Sequence, residues 1–133
     1  MNRLCLDTSA YSHLMRGEPA AVDSVRRATW VGVCSTVLGE LFAGFRLGRR
    51  RRENESVLAR FLEEPVVHAL EVDGGAASHY ADIVIALRRN GTPVPTNDIW
   101  IASVAAREGA TVLTYDSHFA AIDRVSSQIL TPG

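Results

Sequence analysis

The chain has 133 residues, 47% of them hydrophobic and 22% charged, with a formal net charge of −1; this is ordinary globular composition, which argues against disorder. No apolar run approaches the ~18 residues of a membrane span. All 14 basic residues are Arg, which removes lysine Schiff-base chemistry and the lysine of a phosphate-binding loop.

The length fits one domain over residues 1–133. The opening Met1-Asn2-Arg3-Leu4-Cys5-Leu6-Asp7 meets an acid too early for a signal peptide, so the cytoplasm is the expected location. Cys5 and Cys34 lie in apolar runs and are expected as buried thiols, not a disulfide framework. Arg3 to Leu6 reads as a first strand, Ser9 to Arg16 as a helix stopped by Gly17, and Pro19 to Arg27 as a second helix. Trp30 to Cys34 is a second strand, after which Ser35 or Thr36 can cap a helix. That helix carries Val37, Leu38, Leu41, Phe42 and Phe45 on one face and breaks at Gly48. Another helix runs from about Arg49 to Glu63, before Pro65.

Val66 to Leu70 is a third strand candidate. Asp73 can cap a long helix with Ala77, Tyr80, Ala81, Val84 and Leu87 on one face, ending at Asn90-Gly91. Thr92 to Thr96, with two prolines, is a loop. Asp98 to Arg107 is apolar nearly all round, which predicts a helix covered on most sides. Thr111 to Thr114 is a strand and Gln128 to Leu130 a short last one. Strands alternating with helices predict a mainly parallel sheet covered on both faces, with ligands at the carboxyl ends of its strands.

Four acids fall on that edge. Asp7 follows the first strand and Asp116 follows the strand Thr111 to Thr114. Glu40 lies early in the helix after the second strand, and Asp98 opens the helix that precedes the fourth. Singly, Asp7, Asp98 and Asp116 read equally well as helix caps or turn residues, and Glu40 as a solvated side chain. Jointly they converge, and convergence costs energy. Two carboxylates ~4 Å apart repel by ~4 kcal/mol at an effective dielectric of ~20. Such a cluster either protonates or holds a cation, and oxygen ligands favour Mg²⁺ or Mn²⁺. The matching chemistry is metal-assisted phosphodiester hydrolysis.

The segments Leu6-Asp7-Thr8-Ser9, Thr36-Val37-Leu38-Gly39-Glu40-Leu41, Asn97-Asp98-Ile99-Trp100-Ile101-Ala102 and Leu113-Thr114-Tyr115-Asp116-Ser117-His118-Phe119 resemble the four acidic motifs of PIN-domain ribonucleases. More narrowly, the chain resembles the VapC toxins of bacterial toxin–antitoxin pairs, from Leu4 to Leu130. The resemblance implies a three-layer α/β/α fold with a central, mainly parallel sheet. It implies a Mg²⁺- or Mn²⁺-dependent endoribonuclease that inhibits growth or translation. Asp7 and Asp98 would be the main metal ligands, with Glu40 and Asp116 completing the site. Thr8, Asn97 and Thr114 would bond these acids or the scissile phosphate, or serve as caps and turns. The implied partners are RNA, a VapB-like antitoxin and a second copy of the chain, with higher-order assembly on the antitoxin. Tyr115 departs from the pattern, because relatives often carry a basic residue there.

His118 could ligate a metal, although a packed or hydrogen-bonded histidine beside Phe119 is the simpler reading; His13, His68 and His79 read as structural. Gly39, Ala43 and Gly44 suit close helix approach, either at a partner interface or inside the monomer. Five arginines in Arg46 to Arg52 offer phosphate contacts, or a solvated helix start offset by Glu53 and Glu55. A haloacid-dehalogenase phosphatase needs an Asp where Ser9 stands, and a receiver-like phosphoacceptor needs a Lys. A DNA nuclease of the flap or RNase H type shares the metal logic but is usually a longer chain. The main alternative is a non-catalytic module that binds antitoxin or RNA on the same fold.

Overall fold

In the computed structural model, which describes residues 2–133, strands and helices alternate. The elements are β1 (Arg3–Leu6), α1 (Thr8–Met15), α2 (Pro19–Arg27), β2 (Trp30–Cys34), α3 (Ser35–Leu47), α4 (Arg51–Leu62), β3 (Val67–Leu70), α5 (Gly74–Asn90), α6 (Thr96–Glu108), β4 (Thr111–Thr114) and β5 (Ser127–Ile129). A 3₁₀ helix, Ser117–Ala121, separates the last two strands. The five strands form one sheet in the order β3-β2-β1-β4-β5, and every pair is parallel. The chain winds outward from β1 through β2 to β3, then returns to the other side of β1 for β4 and β5. With right-handed crossovers, α1 to α4 cover one face and α5 with α6 the other.

The strand sequences explain their burial. Leu4, Cys5 and Leu6, Val31 to Cys34, and Val112 to Thr114 are buried without alternation, as strands covered on both faces must be. Gly32, opposite Cys5, sits where an added Cβ would lie 2.6 Å from Leu70 Cδ1 and 2.8 Å from Trp30 Cη2, so the smallest residue fits this close packing. Both thiols are buried and free, and burial pushes Cys5 up to about 12, which leaves it protonated and inert.

The helices differ from the sequence reading in detail. α6 is buried from Ile99 through Ala105 except for half-buried Trp100, because it packs on β1, β2 and β4 and also beneath α5. On α5 the expected Leu87 is buried and Tyr80 and Val84 pack half-buried against the core, joined by Ala76 and Ile83, whereas Ala77 and Ala81 face solvent. The buried stripe i, i+7, i+11 runs through Ala76, Ile83 and Leu87, the side of α5 that lies on α6. α3 is capped at Cys34 with no side-chain bond; Ser35 instead donates its hydroxyl to the Leu70 carbonyl across the sheet end. α4 starts at Arg51 rather than Arg49. Gly39, Ala43 and Gly44 are exposed, and a Cβ on either glycine would meet nothing within 4 Å, so they serve no packing inside this chain. Among the described residues no helix is long and apolar enough to cross a membrane.

Candidate active site

The sheet order reverses between β1 and β4, so their carboxyl ends flank the crevice where ligands of open α/β sheets bind. Asp7 leaves β1 in an extended conformation and caps α1. Its Oδ1 accepts from the Ala10 N–H at 2.8 Å and the Ser9 hydroxyl at 2.7 Å. Its Oδ2 accepts from the Thr114 hydroxyl at 2.5 Å. Asp7 is 4% exposed. Burial raises its pKa, while the bonds from Thr114, Ala10 and Ser9 pull the other way. Thr114 accepts in turn from the Asp116 N–H at 2.8 Å, and Ser9 Oγ from the Tyr115 N–H at 2.9 Å. The buried Thr114 hydroxyl and the half-buried Ser9 hydroxyl thus lace the end of β1 to the end of β4.

The other acids arrive from three further elements. Glu40, in the second turn of α3, accepts from the Thr8 hydroxyl at 2.6 Å and from the Asn97 amide at 3.2 Å. Asp98 is the third residue of α6, not its cap: the helix opens at Thr96, with Pro95 in the capping position. The fixed φ of proline presets that entry, and the helix N-terminus favours a negative charge in its first turn. Asp116 caps the 3₁₀ helix by accepting from the His118 N–H at 2.9 Å. The His118 ring lies over the same group, its Nδ1 2.8 Å from Asp116 Oδ1 and 3.5 Å from Asp98 Oδ2.

Among the described residues these carboxylates have no arginine to balance them, and the basic group beside them is the His118 ring. No arginine lies within 4.0 Å of Asp7, Glu40, Asp98 or Asp116 among the described residues. Asp98 is pushed up to about 6, first by desolvation, then by Asp116 and Asp7, with His118 opposing and Glu40 adding to the rise. One ligand atom from each of Asp98, Asp116 and His118 lies within 4.8 Å of the others. An oxygen-rich, uncompensated donor set of this kind fits a divalent cation.

Asp7, Glu40, Asp98 and Asp116 are thus joined through these bonds and mutual electrostatics. Each of Thr8, Asn97 and Thr114 donates to one of the acids. His118 is the residue whose orientation toward the site the sequence did not fix; its only hint was the two-residue spacing from Asp116. Of the other histidines, His13 stacks on Tyr115 with ring centroids 3.8 Å apart, and His68 stacks on Trp30. His79 accepts from Arg124 at 2.9 Å. In the arginine run, Arg46 and Arg51 face Glu55 and Arg50 faces Glu53. Arg49 and Arg52 are exposed and have no acid within 4.0 Å among the described residues.

The PIN domain family model matches residues 4–125. Ribonuclease VapC5 of Mycobacterium tuberculosis is 32% identical over 122 residues, covering 92% of this chain and 89% of the relative. The crystal structure of VapBC-5, a member of the VapBC family of toxin-antitoxin systems from the same organism, superposes with a TM-score of 0.77 at 27% identity, covering 98% of this chain and 100% of that one. DNA-bound VapBC from Salmonella typhimurium superposes with a TM-score of 0.84 at 26% identity, covering 97% and 98%. The family match over residues 4–125, a span that includes all four acidic segments, and the 32% identity to a VapC ribonuclease place this chain in the PIN-domain family, among its VapC-type members.

Proposed function

We propose that this chain is a metal-dependent endoribonuclease, the toxin of a VapBC-type pair, acting as a single PIN domain over residues 1–133. The observation that carries the reading is the convergence of Asp7, Glu40, Asp98 and Asp116 at one sheet edge with no arginine, among the described residues, to neutralise them. A pure binding module gains nothing from such repulsion. The ribonuclease names of the relatives support the same conclusion.

Asp7, Asp98, Asp116 and Glu40 would hold the cation, Mg²⁺ or Mn²⁺. When bound, it supplies charge stabilisation to the phosphate and lowers the pKa of water. The chain's own residues supply the rest. Thr114 and Ser9 fix Asp7, so that its carboxylate needs no reorganisation during the reaction. Thr8 and Asn97 hold Glu40 at the exposed side of the site, where it can orient the attacking water or take up its proton. The water oxygen forms a bond to phosphorus, one ester P–O bond breaks, and the leaving ribose oxygen takes a proton. Thr114 is fully buried, so we assign it to orienting Asp7. Thr8 and Asn97 are free to meet the phosphate only at the expense of Glu40.

Arg49, in the α3–α4 turn, and Arg52, in the first turn of α4, have no acid within 4.0 Å among the described residues. Seven residues of helix separate Glu40 from Leu47, about 10 Å, so RNA seated on the acids can reach this turn. Such contacts position a backbone without reading its sequence. The VapBC complexes support a VapB-like antitoxin as partner, and we extend the reading to a homodimer that assembles further with it in the cytoplasm. Total bacterial RNA incubated with the purified, antitoxin-free protein tests the proposal. Discrete fragments are expected with Mg²⁺ or Mn²⁺, and none with chelator or with Asp98→Asn. Equal fragmentation in all of these conditions would refute it.

A further inference from the structure

His118 is held in a position that core packing does not explain. Its neighbour Phe119 is 0% exposed and anchors the 3₁₀ helix in the core, while the His118 side chain is 51% exposed. The ring nevertheless faces the acids: Nδ1 lies 2.8 Å and 3.0 Å from the two oxygens of Asp116 and 3.5 Å from Asp98 Oδ2. The Asp116 contacts are hydrogen-bond distances, and adjacent donors of an octahedral ion with bonds of about 2.1 Å also sit about 3 Å apart, so a cation can take the place of the ring proton with little movement of these groups. The three residues come from two elements, α6 and the 3₁₀ helix with its cap, and both are fixed by buried neighbours, Ile99 and Phe119.

We propose that His118 ligates the same cation as Asp98 and Asp116, and that its imidazole tilts the site toward Mn²⁺ over Mg²⁺. The inference rests on the metal-dependent reading above and deepens it. Mg²⁺ is a hard ion that prefers carboxylate and water oxygens; Mn²⁺ also suits oxygen ligands but, as the first member of the divalent transition-metal affinity order, accepts an imidazole nitrogen more readily than Mg²⁺ does. A site with one nitrogen among its oxygens therefore gains selectivity that four carboxylates alone would not give.

The test is Mn²⁺ titrated into the metal-free, full-length protein without RNA, followed by pulsed electron paramagnetic resonance. The parent should show ¹⁴N modulation from a directly bound imidazole, and His118→Ala should lose it. Because His13, His68 and His79 remain in that variant, the loss assigns the nitrogen. The variant should bind Mn²⁺ about tenfold or more weakly, a loss of the size seen when a metal site is depleted of a supporting group. Its Mg²⁺ affinity, read by competition with Mn²⁺, should change by less than about threefold, because Mg²⁺ is held mainly by oxygen. Thermal unfolding in chelator should match the parent, since the ring is exposed. Bound Mn²⁺ without ¹⁴N modulation overturns the inference and leaves the nuclease reading standing. Equal losses for both ions overturn the selectivity. A parent that binds neither ion overturns the metal reading together with the inference.

Discussion

Replacing Thr114 by Val deletes one hydroxyl and keeps the β-branched shape that suits β4. That hydroxyl is fully buried, donates to Asp7 Oδ2 and accepts from the Asp116 N–H. A hydrogen bond to a charged group contributes about 1.5–3 kcal/mol, and stranding the N–H of half-buried Asp116 adds up to about 1 kcal/mol. The sum is about 3 kcal/mol. Unfolding entropy of about 2.1 cal/mol/K per residue over 133 residues gives about 0.28 kcal/mol/K. The melting temperature should therefore fall by about 11 °C, measured by circular dichroism in chelator. Cleavage of RNA should slow in kcat more than KM rises, because the change misplaces Asp7 and touches no substrate. Thr114→Ser keeps the hydroxyl and should recover most of the rate. A Val variant with the parent's melting temperature and kcat would refute the claim that this bond holds the site together.

Three further outcomes follow from the same geometry. Asp98 is raised to about 6 from an ordinary 3.8, so the metal-free folded state keeps its proton where the unfolded chain has lost it. Its contribution to stability is fully present below pH ~3.8 and is lost as pH rises through about 6; urea unfolding in chelator should show that decline, and Asp98→Asn should flatten it. Asn97→Ala removes one donor to Glu40 at an exposed site, so kcat should drop about threefold to tenfold with little change in melting temperature. Replacing Arg49 and Arg52 together by Gln, in an Asp98→Asn background, should reduce the slope of log affinity against log salt for single-stranded RNA by about 1.4, the value for two phosphate contacts. An unchanged slope would place the RNA elsewhere.

Where side-chain chemistry acts locally, the sequence was easy to read. Arg3–Leu6, Trp30–Cys34 and Thr111–Thr114 stand out because a strand buried on both faces needs an unbroken apolar run bounded by polar residues. Pro19 and Gly91 mark helix ends through their backbone preferences alone, and Gly91 does adopt φ 63°. The acid edge was also legible, since parallel topology puts strand ends and the following helix starts on one side. What escaped depends on tertiary partners. The start of α6 at Thr96 carries no apolar period, because Thr96, Asn97 and Asp98 point to solvent and site rather than core. The buried face of α5 was set by what α6 presents to it. The hydroxyl lacing of Ser9 and Thr114 joins residues more than a hundred positions apart, and no local pattern encodes it. The 3₁₀ helix that carries His118 is anchored by Phe119 in the core, and no local pattern turns the exposed His118 ring toward the acids.

The most direct measurement is single-turnover cleavage of one mapped RNA fragment by the parent and by Asp7→Asn, at saturating Mn²⁺ and matched folded fraction. Asn keeps the shape of the buried side chain and removes the charge that the site needs. The rate should be lower by at least about a hundredfold, the scale of losing one preorganised electrostatic group, with the same cut site for any residual product. Cleavage by Asp7→Asn at the parent's rate would contradict the acid edge as the catalytic centre.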